Sequence, residues 1–447
     1  MLINLSSDFS NLQKSGIENR FLLGVFFHEW LHYFHNVSTN FGLSTFTSTV
    51  SLWQYFHNAN INGEIIEHSQ YKESISMLSL LLAHAREHTY KPEDLKSINK
   101  HKFESLKIIK AELNPTIISD NENLHSYLCE VISKNDPDYR QTIEIRPFEI
   151  FENLAYLLEK KLVDALQKKD TSDFKYDPFD EPKVSPYRMI ELLFNYFELN
   201  LEGDDCIRVM ITLLLAVDSM ELLNEIIPIL KECKDNNLIV EAALIDITNT
   251  IIKNNDLVNR LESTDEWINT HFPVNDTIGN AIKSVFKILK ENIRKRYKNP
   301  FLEFEILKTL ELNTQNLTEV LKEYSLCALM KPLPANEIKE QKHTSELITI
   351  GEIKHLEDWQ QFHAALHFLG LHIGSDGQFM ETSKINHRNT SCPFLNACSE
   401  KTKLDNPDIC KNMPWKTFDL NTPKASICWY GSGVRQTIYQ SKEGNKN

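Results

Sequence analysis

The chain has 447 residues, of which 41% are hydrophobic and 25% charged, a balance that is typical of globular proteins and excludes extended disorder. A single hydrophobic core usually stops growing at roughly 250–300 residues, so the length predicts two or three domains. The net charge of −14 argues against a nucleic-acid partner, because neutralising phosphates requires a basic face.

Helices are predicted along most of the chain. Its glycines number only 13, too few for the many turns of a sheet-rich protein, so the composition favours a mainly α fold with several helices. Ser15-Gly16-Ile17-Glu18 has the form of a capping box and predicts a first helix that runs to about Val37. Apolar residues at helical spacing predict further helices at 44–57, 68–90, 147–169, 186–200, 204–233 and 356–372, and a helical pattern over 238–330 with breaks near Pro273 and Pro300.

Two stretches lack this pattern. Residues 91–145 are mixed in character, and their Asn114-Pro115 and Asn135-Asp136-Pro137 are typical of loops. Residues 331–334, Lys-Pro-Leu-Pro, are typical of a linker. We therefore predict three regions, 1–200, 201–330 and 331–447, the last being a helix followed by a Cys-rich segment.

Neither a secretory signal nor a membrane span is expected. The apolar run 21–27 is short and ends in His28 and Glu29. The uncharged apolar run Val209 to Val217 is far shorter than the roughly 20 residues that a bilayer requires. We therefore expect a soluble, cytoplasmic protein without a membrane partner, in which the eight cysteines are thiols or metal ligands rather than disulfides.

The first helix carries a pattern typical of metal-dependent hydrolysis. His28 and His32 lie four residues apart, so on a helix their imidazoles are one turn apart and can ligate the same ion. Zinc is the expected ion, because it favours neutral nitrogen ligands. Glu29 follows the first histidine directly, where its carboxylate can hold a water beside the metal and take its proton. The alternative is a buried helix with two core histidines, which would bury three polar side chains at a cost without a metal or other partners.

The residues around this motif resemble those of HExxH zinc metallopeptidases of the zincin type. Val25 precedes the first histidine by three positions, and the helix around His28-Glu29-Trp30-Leu31-His32 is apolar and otherwise uncharged. The resemblance implies a zincin-like catalytic region at 1–200, Zn2+ as cofactor and peptidase activity. The longer metzincin pattern is not met, because His35 stands at its glycine position and Ser38 at its last histidine position.

A third zinc ligand is expected from a second helix, and Glu152 is our choice. It lies on an apolar face, and Ala155 three positions on resembles the small residue of the gluzincin arrangement. Glu149 is the runner-up and Glu130 a weaker candidate, and a solvated Glu152 on an amphipathic helix is the alternative. We expect His35 to support the site or contact substrate rather than bind the metal, although an inert histidine is also compatible with the pattern.

An oxyanion stabiliser is expected beyond the third ligand, because attack on an amide carbonyl creates negative charge. Tyr187 follows a Pro-bearing loop at the start of a helix and is our candidate for this catalytic role, with Tyr176 comparable. The alternative for either tyrosine is an ordinary core or surface position.

A second, structural metal is a hypothesis for the Cys-rich segment. Four of the cysteines fall within 37 residues, and four thiolates can close a zinc site or hold an iron–sulfur cluster; they are Cys392, Cys398, Cys410 and Cys428. Their spacing lacks the C-x-x-C form, His387 could replace one thiolate, and buried free thiols or disulfides are the alternatives. His363 and His367 repeat the four-residue spacing on a helix, where aromatic neighbours favour packing over a metal site.

These features together predict a zinc peptidase of restricted specificity that acts on a protein or peptide substrate. One alternative is a helical interaction protein with a structural metal, which binds a protein partner through residues 201–330. Another is zinc-dependent hydrolysis of a different carbonyl compound, because the same chemistry attacks other carbonyls.

Overall fold

The chain is mainly α-helical in the computed structural model, which confirms the prediction from composition. The described residues are 2–4, 17–61, 64–66, 70–86, 106–120, 122–134, 136–168, 187–254, 257–272, 276–312, 322–324, 327–332, 345–350, 356–374, 376–385, 390–398, 400–417 and 427–438. The capping box at Ser15, Tyr176 and His387 lie outside them. No described helix combines the length and apolar character that crossing a membrane requires.

The described helices of eight or more residues account for the fold class. They are α1 (Ile17–Asn36), α2 (Asn40–Ala59), α3 (Lys72–His84), α4 (Pro147–Lys168), α5 (Met189–Tyr196), α6 (Gly203–Leu214), α7 (Ser219–Asp235), α8 (Val240–Asn254), α9 (Leu257–His271), α10 (Thr277–Lys298), α11 (Leu302–Leu312), α12 (Leu356–Leu371) and α13 (Trp429–Ile438). Shorter helices are Thr382–Ile385, Lys401–Asp405, Pro407–Asn412 and the 3-10 turn Pro414–Thr417. The single helix predicted over 204–233 is wrong, because α6 and α7 are separate and Asp218 caps α7 by accepting from the backbone N–H groups of Met220 and Glu221.

Three strands occupy the stretch that had been predicted as mixed and loop-containing. Strands β4 (Leu106–Ser119), β5 (Glu122–Ser133) and β6 (Arg140–Ile145) form an antiparallel sheet in that order. Asn114 and Pro115 lie inside β4, so the loop predicted there is wrong. Proline is tolerated because β4 is an edge strand, on which one row of N–H groups needs no partner.

The remaining strands are short. They are β1 (Leu2–Asn4), β2 (Asn60–Ile61), β3 (Glu64–Ile65), β7 (Cys327–Pro332) and β8 (Ser345–Ile350). Strand β7 pairs in parallel with β1 and antiparallel with β8. The linker predicted at 331–334 is therefore wrong for Lys331 and Pro332, which are the last residues of β7.

Two hydrophobic cores hold the helices together. The first joins α1, the sheet β4–β6, α4 to α7 and α11, and the second joins α2, α3, α9, α10, α12, the Cys-rich segment and α13. Neither core coincides with one of the three predicted regions, whose boundaries remain predictions. The candidate site lies on α1 and α4, and therefore belongs to the first core.

A buried ion-pair cluster fixes the end of α1. The imidazole of His35 lies 3.0 Å from Glu303, whose carboxylate also accepts hydrogen bonds from both terminal nitrogens of Arg296. Arg296 also donates to the hydroxyl of Ser38 at 3.0 Å. Burial alone would raise the pKa of Glu303, but Arg296 and His35 outweigh it and lower the pKa to about 2. The cluster ties α1 to α10 and α11.

Candidate metal centre

Helices α1 and α4 lie side by side and run antiparallel. The residue numbers of the facing side chains rise along α1 and fall along α4. Gly24 faces Glu159 and Val163, and two turns later on α1 His32 faces Glu152. A Cβ atom on Gly24 would lie 2.7 Å from a methyl carbon of Val163, so the missing side chain allows the close approach. This contact sets the separation of the two helices at the site.

The three predicted ligands converge between these helices. Nε2 of His28 lies 3.3 Å from one carboxylate oxygen of Glu152, and Nε2 of His32 lies 3.3 Å from the other. One nitrogen from each imidazole and one oxygen of Glu152 all lie within 4.8 Å of one another, as the ligands of one ion must. The imidazole rings meet at 80° with centroids 4.8 Å apart, so both can direct a nitrogen at a common point.

Glu159 supports this group from one side. Its carboxylate lies 3.0 Å from Nδ1 of His28, and the side chain is almost fully buried. When the Nδ1–H group of a histidine donates to a carboxylate, Nε2 keeps its lone pair for a metal, and the ring orientation is fixed. Glu159 therefore positions His28 and makes its Nε2 a better donor. The sequence analysis did not identify this residue.

The electrostatics of the group suit a cation. Burial alone would lower the pKa of His28, but Glu152 and Glu159 outweigh it and raise the pKa to about 9. Burial alone would raise the pKa of Glu152, but the two histidines outweigh it and lower the pKa to about 2. Two carboxylates thus face two imidazoles, and the group is doubly negative when both imidazoles are neutral. A divalent cation balances that charge.

One stripe of α1 reaches the surface, and it includes Glu29 and His32. Val25, Glu29 and His32 are half-buried and Asn36 is exposed, at the spacing of a single helix face, whereas the other residues from Leu23 to His35 are buried. Within the described part of the chain, Glu29 has no ion pair or hydrogen-bond partner. Among the described residues its carboxylate is therefore uncommitted, and it lies one residue from a candidate ligand.

Tyr187 lies near the group, where the sequence analysis expected an oxyanion stabiliser. Its ring centroid is 5.8 Å from that of His28, and Tyr156 of α4 packs 5.9 Å away on Tyr187. The tyrosine precedes α5, and Asn153 of α4 holds that helix by accepting hydrogen bonds from the backbone N–H groups of Ile190 and Glu191. The start of α5 is thereby fixed beside α4.

The other predicted candidates occupy different places. Glu149 is buried and accepts a hydrogen bond from the backbone N–H of Arg146 at 2.8 Å, so it caps the start of α4. Glu130 lies on β5 and pairs loosely with Arg140. His35 is fully buried against Glu303, so the expected contact with substrate is wrong, and the position fits the alternative of an inert histidine.

The four C-terminal cysteines lie together, apart from the histidines of α1, and all but Cys410 belong to the second core. Cys392, Cys398, Cys410 and Cys428 are buried free thiols that line one cavity. His367, which the sequence analysis favoured for packing, accepts a hydrogen bond from the hydroxyl of Tyr430 at 2.8 Å or donates one to it, depending on its tautomer.

A periodic signal for Glu159 exists in the sequence. It follows Glu152 by seven residues, which is two helical turns, so both carboxylates lie on the face that also carries Ala155. A search for acidic residues at this spacing on the predicted helix would have found Glu159. Gly24 likewise precedes His28 by one turn and marks the face of α1 that meets a neighbour.

Comparison of the chain with protein families, with curated proteins and with solved structures found no match in any of the three.

Proposed function

We propose that this protein is a zinc-dependent hydrolase, and specifically a peptidase of restricted specificity. The observation that carries the proposal is the convergence of His28, His32 and Glu152 within 4.8 Å, beside the uncommitted carboxylate of Glu29. Two histidines and a glutamate are a ligand set of catalytic zinc, which keeps one coordination position open. The resemblance of α1 to the zincin helix supports the choice of a peptide substrate.

In this proposal His28, His32 and Glu152 hold the ion, and Glu159 orients His28 through its Nδ1–H group. Zinc in this position would supply Lewis-acid polarisation of a carbonyl and a lower pKa for water. Glu29 accepts a proton from the attacking water and returns it to the leaving amine. Tyr187 donates a hydrogen bond to the carbonyl oxygen as negative charge develops there.

The substitution Glu29→Gln tests this assignment. The amide keeps the size of the side chain but cannot accept the proton, so turnover of a peptide library, followed by mass spectrometry, should fall by at least about 100-fold. Zinc content, measured by elemental analysis of the full-length chain, should stay near one per chain. His28→Ala and Glu152→Ala should instead lose the zinc along with the activity.

Glu73→Gln is the matched control, because Glu73 is an exposed glutamate in the first turn of α3, outside the candidate site. It should leave both turnover and zinc content unchanged. Equal turnover by the Glu29→Gln and Glu73→Gln proteins would contradict the proposed mechanism. Cleavage of every unfolded protein offered would contradict the restricted specificity.

A second candidate function, binding of a protein partner through the helical region, has one observation in its favour. A wide groove lies between α2, the β4–β5 hairpin, α7 and α8, and its exposed carboxylates include Glu122, Glu221, Glu225 and Asp246. The guanidinium of Arg260 in the groove is held by Asn40 and Ser44. The groove would therefore take a basic segment, and Glu221→Lys/Glu225→Lys should abolish binding of a Lys-rich peptide while Glu73→Lys leaves it unchanged.

A further inference from the structure

The thiols of the Cys-rich segment surround one space. They come from three separate pieces of chain: Cys392 and Cys398 from 390–398, Cys410 from the helix Pro407–Asn412, and Cys428 from the residue before α13. Each of the six pairs of thiols is close enough to interact electrostatically. None is in a disulfide. Four free thiols from three pieces of the chain thus line one buried cavity.

The backbone holds these sulfurs in place. The N–H of Cys392 donates to the carbonyl oxygen of Cys410 at 2.8 Å, which joins two of the pieces. The N–H groups of Glu400 and Gly431 point at the sulfurs of Cys398 and Cys428, each at 3.4 Å. Such N–H groups stabilise negative charge on sulfur and are a feature of iron–sulfur sites. The arrangement is suited to thiolates rather than to neutral thiols.

Most of the cavity wall is apolar, although Glu400, Thr402, Lys403 and Thr417 also line it. Phe394, Trp429 and Tyr430 contribute to the walls of the cavity. A largely apolar shell around a metal site limits the access of solvent and sets the local dielectric constant.

The separation of the sulfurs favours a cluster over a single ion. Zinc–sulfur bonds of about 2.3 Å in tetrahedral geometry put sulfur atoms about 3.8 Å apart. All four cysteines are among the described residues, yet no three of their sulfurs lie within 4.8 Å of one another, whereas His28, His32 and Glu152 do satisfy that distance. A cubane of four irons and four sulfides lies between its ligands and holds them further apart than a single ion does.

We propose that Cys392, Cys398, Cys410 and Cys428 bind a [4Fe–4S] cluster. Each thiol loses its proton and ligates one iron, so every iron has a protein ligand and no coordination position stays open. The cluster joins the three pieces of chain beneath α12 and α13, where Gly433 packs so closely on α12 that an added Cβ would lie 2.4 Å from a backbone oxygen. This site is independent of the proposed hydrolase centre.

The experiment uses the full-length chain, purified without oxygen and reconstituted with equal amounts of ferrous and ferric iron and with sulfide, which together supply the mixed-valent core without a further oxidant. Iron, acid-labile sulfide and zinc are measured per chain, and Mössbauer spectra identify the cluster. About four irons and four sulfides per chain are expected, with visible absorption that dithionite bleaches. Cys410→Ser and Cys428→Ser should lower the iron content at least twofold. The matched control Cys233→Ser removes a buried free thiol of α7 and should leave it unchanged.

Three results would overturn the proposal: one zinc per chain with no sulfide, iron content unaffected by the serine substitutions, or failure of the wild-type chain to take up iron and sulfide. If a serine variant does not fold, the Mössbauer spectrum of the wild-type chain still decides between cluster and no cluster. Glu152→Ala should lose only the zinc proposed for α1 and keep its iron, which separates the two proposals.

Discussion

Substitution of Glu159 should weaken zinc binding without removing a zinc ligand. The carboxylate lies 3.0 Å from Nδ1 of His28 and does not belong to the three-residue group that meets within 4.8 Å. Its contribution is indirect: it fixes the tautomer and the ring orientation of His28, and its charge makes Nε2 more basic. Both effects disappear in Glu159→Ala. In Glu159→Gln an amide oxygen can still accept the hydrogen bond, but the charge is lost.

The size of the effect follows from this difference. Loss of a partner that orients a metal-bound histidine costs about 10–100-fold in metal affinity, which corresponds to about 1.4–2.8 kcal/mol. We expect Glu159→Gln near the lower limit, because it loses only the charge, and Glu159→Ala near the upper limit. The alanine variant also leaves space beside Gly24, where the side chain of Glu159 packs.

The assay is competition for zinc between the full-length protein and a chromogenic chelator at constant pH and ionic strength. Helical content is checked by circular dichroism, so that a loss of affinity is not a loss of fold. Glu29→Gln is an informative comparison, because it should keep its affinity and lose its turnover. Equal affinities for the wild type, Glu159→Gln and Glu159→Ala would refute the role assigned to Glu159.

Three further predictions concern the neighbourhood of α1. Tyr187→Phe should lower kcat by about 100-fold at nearly constant KM and zinc content, and an unchanged kcat would contradict its role as the oxyanion stabiliser. Gly24→Ala should lower the free energy of unfolding in urea by about 1–3 kcal/mol, because the new Cβ meets Val163, and undiminished stability would contradict the close helix contact. Glu303→Gln should cost about 3–5 kcal/mol, because it leaves Arg296 buried without its partner. The pKa of Glu303 is about 2 in the folded chain against 4.5 ordinarily, so the stability that its charge contributes is complete above pH 4.5 and is lost as the pH falls towards 2. Urea unfolding of the wild type and Glu303→Gln across that range should therefore show the difference between their free energies of unfolding shrinking.

The helices were predictable because their apolar residues recur at helical spacing, and the sheet was not. Strand β4 contains Asn114-Pro115, a pair that locally favours a turn, and only its place at the edge of the sheet makes proline acceptable. The break between α6 and α7 was missed because the apolar run continues through it from Val209 to Val217. Local pattern indicated the helices, whereas the presence of the strands and the position of a helix break depended on tertiary contacts.

The residues of the candidate site were likewise predictable only in part. His28, Glu29 and His32 were predictable from spacing within one helix, and Glu152 from the apolar face that must meet that helix. Glu159 depended on the antiparallel alignment of α1 and α4, which the sequence analysis did not predict. His35 was misassigned for a related reason, since its partner Glu303 lies 268 residues away along the chain.

Helix α1 carries two polar clusters, and their difference bears on the proposed function. The side chains of His35 and Glu303 are 0% exposed, and Arg296 completes their pairing, which is what a purely structural ion pair requires. The side chains of His28, Glu152 and His32 are 9%, 13% and 18% exposed. His32 belongs to the half-buried stripe that also carries Glu29, which has no partner among the described residues. A cluster that served only packing would gain nothing from an opening to solvent or from such a carboxylate beside it, whereas a hydrolytic centre needs both a path for substrate and a base.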